Sequence, residues 1–258
     1  MPLRIAFDLD GVLADMEAEL VRQAEILFGE PMTKRLQERA AGAAASSSAS
    51  ASVTPPADAA ADPQAAAEVS LDNVPPLLKL NMTARQQRRL WSHVESIENF
   101  WQTLEALEPG IIERLSAIAI ERRWEVIFLT KRPETLGSTA QVQSQRWLAS
   151  KGFTLPSVYV VQGSRGRVAA ALALDIVVDD RPENCLDVVV DSRARAILVW
   201  REDESQLPAA ARRLGIGVVK SVAECLDILT QLDSTPREQP GVMNRVMRLL
   251  GLKEPASA

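Results

Sequence analysis

Short runs of apolar, largely β-branched residues recur along the chain: Leu3–Leu9, Val126–Leu129, Val158–Val161, Ile176–Val178 and Ala196–Val199. Runs this short and this continuous are expected of strands covered on both faces. Between them lie segments with helical periodicity, Ile111–Arg123, Gly137–Lys151, Val168–Leu174, Asn184–Asp191 and Ala209–Leu214. A last helix opens at Ser221, whose spacing to Glu224 suits a capping box, and runs to about Leu229. Strand and helix in alternation predict an α/β fold, a Rossmann-like parallel sheet with helices on both faces. In such sheets ligands bind beyond the carboxyl ends of the strands.

Those ends are chemically loaded. The first strand runs into Asp8-Leu9-Asp10-Gly11-Val12-Leu13-Ala14-Asp15, the second into Thr130, Lys131 and Arg132, and the fourth into Asp179 and Asp180. Asp is common at strand ends for local reasons, but here three strands bring such groups to one rim. Four carboxylates on one rim repel each other unless a cation sits among them, and an all-oxygen set favours a hard ion such as Mg²⁺.

Asp8-Leu9-Asp10-Gly11-Val12 resembles the first motif of the haloacid-dehalogenase-like (HAD) hydrolase superfamily. Thr130 resembles its second motif and Asp179-Asp180 its acidic fourth motif. The longer run Asp10–Asp15, with Val178-Asp179-Asp180, is most similar to the 5′-nucleotidase (deoxyribonucleotidase) branch. The resemblance covers roughly residues 1–16 and 110–230. It implies an Mg²⁺-dependent phosphomonoester hydrolase in which Asp8 is the nucleophile that becomes an aspartyl-phosphate. Asp10 then protonates the leaving oxygen and activates water. Mg²⁺ would be held by the Asp8 carboxylate, the Asp10 carbonyl and Asp180, with Asp179 in support, and Thr130 would donate to a phosphoryl oxygen. A phosphotransferase or phosphomutase on the same fold, or a non-catalytic binding module, are the alternatives.

The third motif departs from the family pattern. Gly163-Ser-Arg-Gly-Arg167 contains no Lys, so the phosphate-binding cation must come from Arg167, Arg165 or Lys131. Arg167 is the first choice, because it opens the expected Val168–Leu174 helix, whose N-terminus favours an anion.

Between the first and second motifs, residues 16–109 correspond to the superfamily's helical cap; residues 1–15 and 110–232 form the expected catalytic core. Within the cap stretch, Ala, Ser, Pro and Gly fill 23 of the 29 positions from Ala40 to Glu68, which predicts a disordered insertion with little to bury. Arg85–Trp101 reads as helical, with Trp91, Phe100 and Trp101 as the cap's own core rather than a base-stacking surface. Met16 stands where the nucleotidase branch usually has Phe. Residues 233–258 read as a linker and a short amphipathic helix, Val242–Leu252.

Charge and composition narrow the partners. The net charge of −5 leaves no basic excess for a nucleic-acid polymer; the family resemblance implies a small phosphorylated metabolite as partner, a nucleotide among them. One His and two Cys are too few for a Cys/His zinc site, and a triad hydrolase would depend on His93 alone. Cys185 and Cys225 read as reduced, packed thiols of a cytoplasmic protein. No run approaches the roughly 18 apolar residues of a transmembrane helix.

Overall fold

The computed structural model describes the backbone of residues 2–47 and 80–233, with side chains for 2–41 and 80–233. Val242–Leu252 and most of the Ala/Ser-rich insertion lie outside these described residues. Among the described residues six strands form one all-parallel sheet: β1 (Arg4–Asp8), β2 (Glu125–Thr130), β3 (Ser157–Val160), β4 (Ile176–Asp179), β5 (Arg195–Val199) and β6 (Gly217–Val219). Their order is β3-β2-β1-β4-β5-β6. The chain builds outward from β1 in one direction, then returns to β1's other side to begin β4. The strand order therefore reverses between β1 and β4, where a doubly wound sheet opens a crevice at its carboxyl edge.

The helices are α1 (Met16–Phe28), α2 (Glu30–Ser47), α3 (Ala84–Glu95), α4 (Ile111–Arg122), α5 (Ala140–Ser150), α6 (Arg165–Ala171), α7 (Pro182–Asp191), α8 (Ala209–Arg213) and α9 (Val222–Asp233). Alternate strand residues point to opposite faces. Ala6, Leu129, Val177, Ala196 and Leu198 meet Ala169 of α6, Cys185 and Val188 of α7 and Ala211 of α8 in one buried cluster. Phe7 and Phe128 are cross-strand partners at the intervening positions and are fully buried. Each contributes about 1.5–3 kcal/mol of apolar burial.

The chain divides into two compact units, one joining Met1–Met16 to Glu98–Ala258 and the other spanning Glu17–Ile97. In the second unit α1 buries Leu20 and Ala24, and α3 buries Leu90, Trp91 and Val94. Thr83 and Gln86 close a capping box at the start of α3. His93 Nε2 lies 3.0 Å from Gln23 Oε1, so this imidazole bonds between helices of its own unit. Helix α2 continues through Ser47, into the run expected to be disordered from Ala40. Alanine has the highest intrinsic helix propensity, which favours helix over this Ala-rich run.

The helix expected over Arg85–Trp101 is interrupted. Helix α3 stops at Glu95, Asn99 takes a left-handed conformation (φ 55°), and Phe100–Gln102 form a separate 3₁₀ turn within the sheet unit. Trp101 donates its backbone N–H to Gln143 Oε1 (3.0 Å) and its indole N–H to Pro133 O (2.9 Å). Phe100 and Trp101 thus pack with α5.

Candidate active site

The loop after β1 is tied down before any side chain is considered. Leu13 and Ala14 donate backbone N–H groups to Leu9 O (2.9 and 2.8 Å), and Gly11 donates to Ala14 O (3.0 Å). Leu9, Val12, Leu13 and Ala14 are fully buried, which anchors the loop by its apolar positions and leaves Asp8 and Asp10 to face the crevice rim. Gly11 is required twice over. Its φ is +84°, and a Cβ there would lie 2.0 Å from Asp180 Oδ2. Arg201, two residues beyond β5, donates to Gly11 O (2.5 Å) and Val12 O (3.2 Å) and pairs with Glu108 (3.0 Å). Glu108 in turn accepts the Val222 and Ala223 N–H groups at the start of α9 (2.8 and 3.0 Å), a favourable place for a carboxylate.

Asp10 meets the end of β2. Thr130 Oγ1 donates to Asp10 Oδ2 at 3.1 Å. Arg132 approaches the same carboxylate with Nη2 at 2.7 Å from Oδ1 and Nε at 3.1 and 3.0 Å from the two oxygens. Arg132 is 2% exposed, its guanidinium carbon 4.9 Å from the ring centroid of Trp101 and 5.6 Å from that of Trp147.

Asp8 meets the end of β4 through Arg165, whose Nη2 donates to Asp8 Oδ1 at 2.5 Å and whose Nε lies 3.7 Å from Asp179 Oδ2. Asp179 is held from its own side by the Arg181 backbone N–H (2.9 Å) and by Asn184 Nδ2 (3.0 Å to each oxygen). Burial pushes the Asp8 carboxyl well above the usual carboxylate range; Arg165 opposes the rise, and Asp179, Asp180 and Asp10 add to it. Asp179 is raised for the same leading reason, again against Arg165. Burial, then the charge of Asp179, pushes Asp180 up to about 7. Burial also raises the thiols of Cys185 and Cys225, both free and packed.

The structure thus brings together Asp8, Asp10, Thr130, Asp179, Asp180 and Arg165. It does not bring Arg167 to them. Ser164 caps α6 by accepting the Arg167 N–H (3.4 Å), so the helix opens at Arg165, three residues earlier than the apolar pattern suggests. Arg165 becomes the first helical residue and is 2% exposed; Arg167, two positions on and roughly 200° round the helix, is exposed. Gly166 between them lets α6 touch α7: a Cβ there would lie 2.0 Å from Asp187 O. Lys131 is half-buried beside Thr130, while its neighbour Arg132 takes Asp10. Sequence reasoning left out Arg132, Arg201 and Glu108. Arg132 alone carried a signal, as a second cation after a strand end.

Four acidic side chains gather here with the guanidinium groups of Arg132, Arg165 and Arg181. Asp180 Oδ1 is buried without a hydrogen-bond partner, as are Nε and Nη1 of Arg165. A buried carboxylate oxygen left unpaired in an all-oxygen surround fits a hard cation. Among the described residues no three His, Cys, Asp or Glu side chains converge on one point. Mg²⁺ takes one or two carboxylates and fills its remaining positions with water and other oxygens, so Asp8, Asp180 and the Asp10 carbonyl are an adequate set.

No protein-family model matches the chain, and no curated protein matches it by sequence. Among solved structures, it resembles a candidate β-phosphoglucomutase from Thermotoga maritima, with a TM-score of 0.50 at 16% identity over 89% of this chain and 99% of that one. A hydrolase from Pseudomonas syringae gives a TM-score of 0.47 at 16% identity, covering 89% and 98%. A HAD-family hydrolase from Deinococcus radiodurans, with bound phosphate and sodium, gives 0.47 at 16% over 89% and 96%. At this identity the likeness to the first of these shows architecture alone, a parallel α/β fold.

Proposed function

We propose that the protein is a Mg²⁺-dependent phosphomonoester hydrolase working through an aspartyl-phosphate on Asp8. The observation that carries this reading is the pairing of Asp8 with Arg165 at the strand-order reversal, with Asp10 two residues on and Asp179-Asp180 opposite. Arg165 places two unpartnered N–H groups beside the nucleophile, where they serve as phosphate donors. The Asp8 carboxylate attacks phosphorus as the bond to the leaving oxygen breaks, and Asp10 gives that oxygen its proton. Asp10, now a carboxylate, takes a proton from water. That water's oxygen attacks phosphorus, the Asp8–phosphorus bond breaks, and phosphate leaves with Asp8 and Asp10 restored. Thr130 donates to a phosphoryl oxygen. Asp8, the Asp10 carbonyl and Asp180, with Asp179 in support, would hold Mg²⁺, which would neutralise charge on the phosphoryl group.

The helical unit of residues 17–97 is proposed as the cap that selects the substrate, a small phosphorylated metabolite. Nucleotides are the first class to try, because the Asp10–Asp15 run resembles the nucleotidase branch. A panel of nucleoside monophosphates, sugar phosphates and p-nitrophenyl phosphate, assayed with Mg²⁺ for phosphate release, tests the reading. The same panel with a second alcohol present separates hydrolysis from phosphoryl transfer, in which the group passes to the alcohol and no phosphate appears. Absence of both activities across the panel would leave a binding module.

A further inference from the structure

We propose that Arg132 is a positioning residue for Asp10, fixing one orientation of that carboxylate for both halves of the reaction; this rests on the hydrolytic reading above. A buried ion pair is weak evidence for stability, since apolar residues of similar volume would serve as well. Arg132 nevertheless has several restraints besides Asp10. The rings of Trp101 and Trp147 both pack against its guanidinium, and its Nη1 donates to Ser144 Oγ at 2.9 Å. Ser144 is itself fixed by donating to Ala140 O (2.7 Å), and the Trp147 indole by donating to Leu104 O (2.7 Å). The Arg132 backbone N–H donates to Thr130 Oγ1 (3.2 Å), the hydroxyl that donates to Asp10. The Thr130 and Arg132 side chains that bond Asp10 therefore belong to one braced unit.

The chemistry needs such a brace. Displacement at phosphorus is in line, so the leaving oxygen departs opposite Asp8, and the hydrolytic water later attacks from that same position. Asp10 must serve both oxygens at one point in space. A carboxylate free to rotate would lose alignment in both steps, and orientation of this kind accounts for much of general acid–base catalysis.

Two substrates and two variants separate this role from simple packing. p-Nitrophenolate leaves without a proton, whereas the alkoxide of an alkyl phosphate needs one. Arg132→Lys keeps a charge but loses the planar fork; Ser144→Ala removes one brace and leaves Asp10 and Arg132 in place. With p-nitrophenyl phosphate, Arg132→Lys is expected to form the phosphoenzyme at near wild-type rate. It should hydrolyse the intermediate on the order of 10²-fold more slowly, so that most of the enzyme is phosphorylated in the steady state after acid quench. With an alkyl phosphate both steps should slow. Ser144→Ala should shift the same two readouts in the same direction by less, and it carries the test if Arg132→Lys does not fold. A wild-type phosphoenzyme fraction and a wild-type aryl-to-alkyl ratio in the variants, whatever their melting temperatures, would overturn the proposal. Failure of the wild-type enzyme to form any phosphoenzyme or turn over any substrate would instead sink the hydrolytic reading, and this proposal with it.

Discussion

Asp8 and Asp10 stand two residues apart, yet their surroundings equip them for different work. Asp8 is enclosed, 6% exposed, and faces one guanidinium whose other N–H groups are unpartnered. Asp10 is half-buried and gripped by Thr130, at the end of β2, and by Arg132 just beyond it. The cation beside Asp8 is Arg165, and the two arginines of the loop should therefore behave oppositely. Arg165→Ala should lower kcat by roughly 10²–10³-fold, the usual loss when one donor to a developing charge is removed. Arg167→Ala, at an exposed position, should leave kcat near wild type in the same assay. Equal losses from the two variants would contradict this placement. Gly11→Ala is a sharper local change, because the added methyl meets Asp180 Oδ2 and the backbone is left-handed. It should weaken Mg²⁺ binding, measured by calorimetry, more than it lowers the melting temperature.

At the scale of elements, the position of each site residue follows from where a strand or helix begins. Helix α6 opens at Arg165 because Ser164 caps it. Ser164→Ala should cost about 1 kcal/mol of stability by urea denaturation, and it should also loosen Arg165 and lower kcat. Most of this layout is legible in the sequence. An apolar β-branched run that stops at an Asp or Thr marks both the strand and its functional end, which locates Asp8, Thr130 and Asp179 without coordinates. What stays hidden depends on long-range packing. Nothing local distinguishes Arg132 from Lys131; only Trp101, Trp147 and Ser144, brought in from other segments, sort the two. Arg201 and Glu108 support the Gly11 turn from distant points in the chain. Strand β6 is three residues long, too short to show a pattern. Helix α6 starts before its apolar periodicity does, because its cap is a single hydroxyl.

For the molecule as a whole, concentrating acidic groups at the strand-order reversal makes stability depend on pH and on metal. Folding raises the carboxyl of Asp180 from its ordinary value near 3.8 to about 7, and raises Asp8 and Asp179 in the same direction. The folded state then binds more protons than the unfolded chain between these values. The contribution of these groups is fully present below about pH 3.8 and is lost as pH rises through about 7. Metal-free protein should accordingly lose melting temperature between pH 5.5 and pH 8 by roughly the few degrees that 1–2 kcal/mol represents. Mg²⁺, which replaces the protons, should raise the melting temperature more at pH 8 than at pH 5.5. Asp180→Asn should flatten both dependences. No helix among the described residues is long and apolar enough to cross a membrane.

The central claim is that Asp8 carries the phosphoryl group, and the most direct measurement is to find it there. Wild-type protein is mixed with Mg²⁺ and a phosphomonoester that it turns over, quenched in acid during the steady state, digested and mapped by mass spectrometry. The account predicts one added phosphoryl group on the peptide containing Asp8, labile to hydroxylamine, and none in Asp8→Asn protein, which should also be inactive. Turnover by Asp8→Asn protein, or a phosphoryl group mapped to another residue, would contradict it.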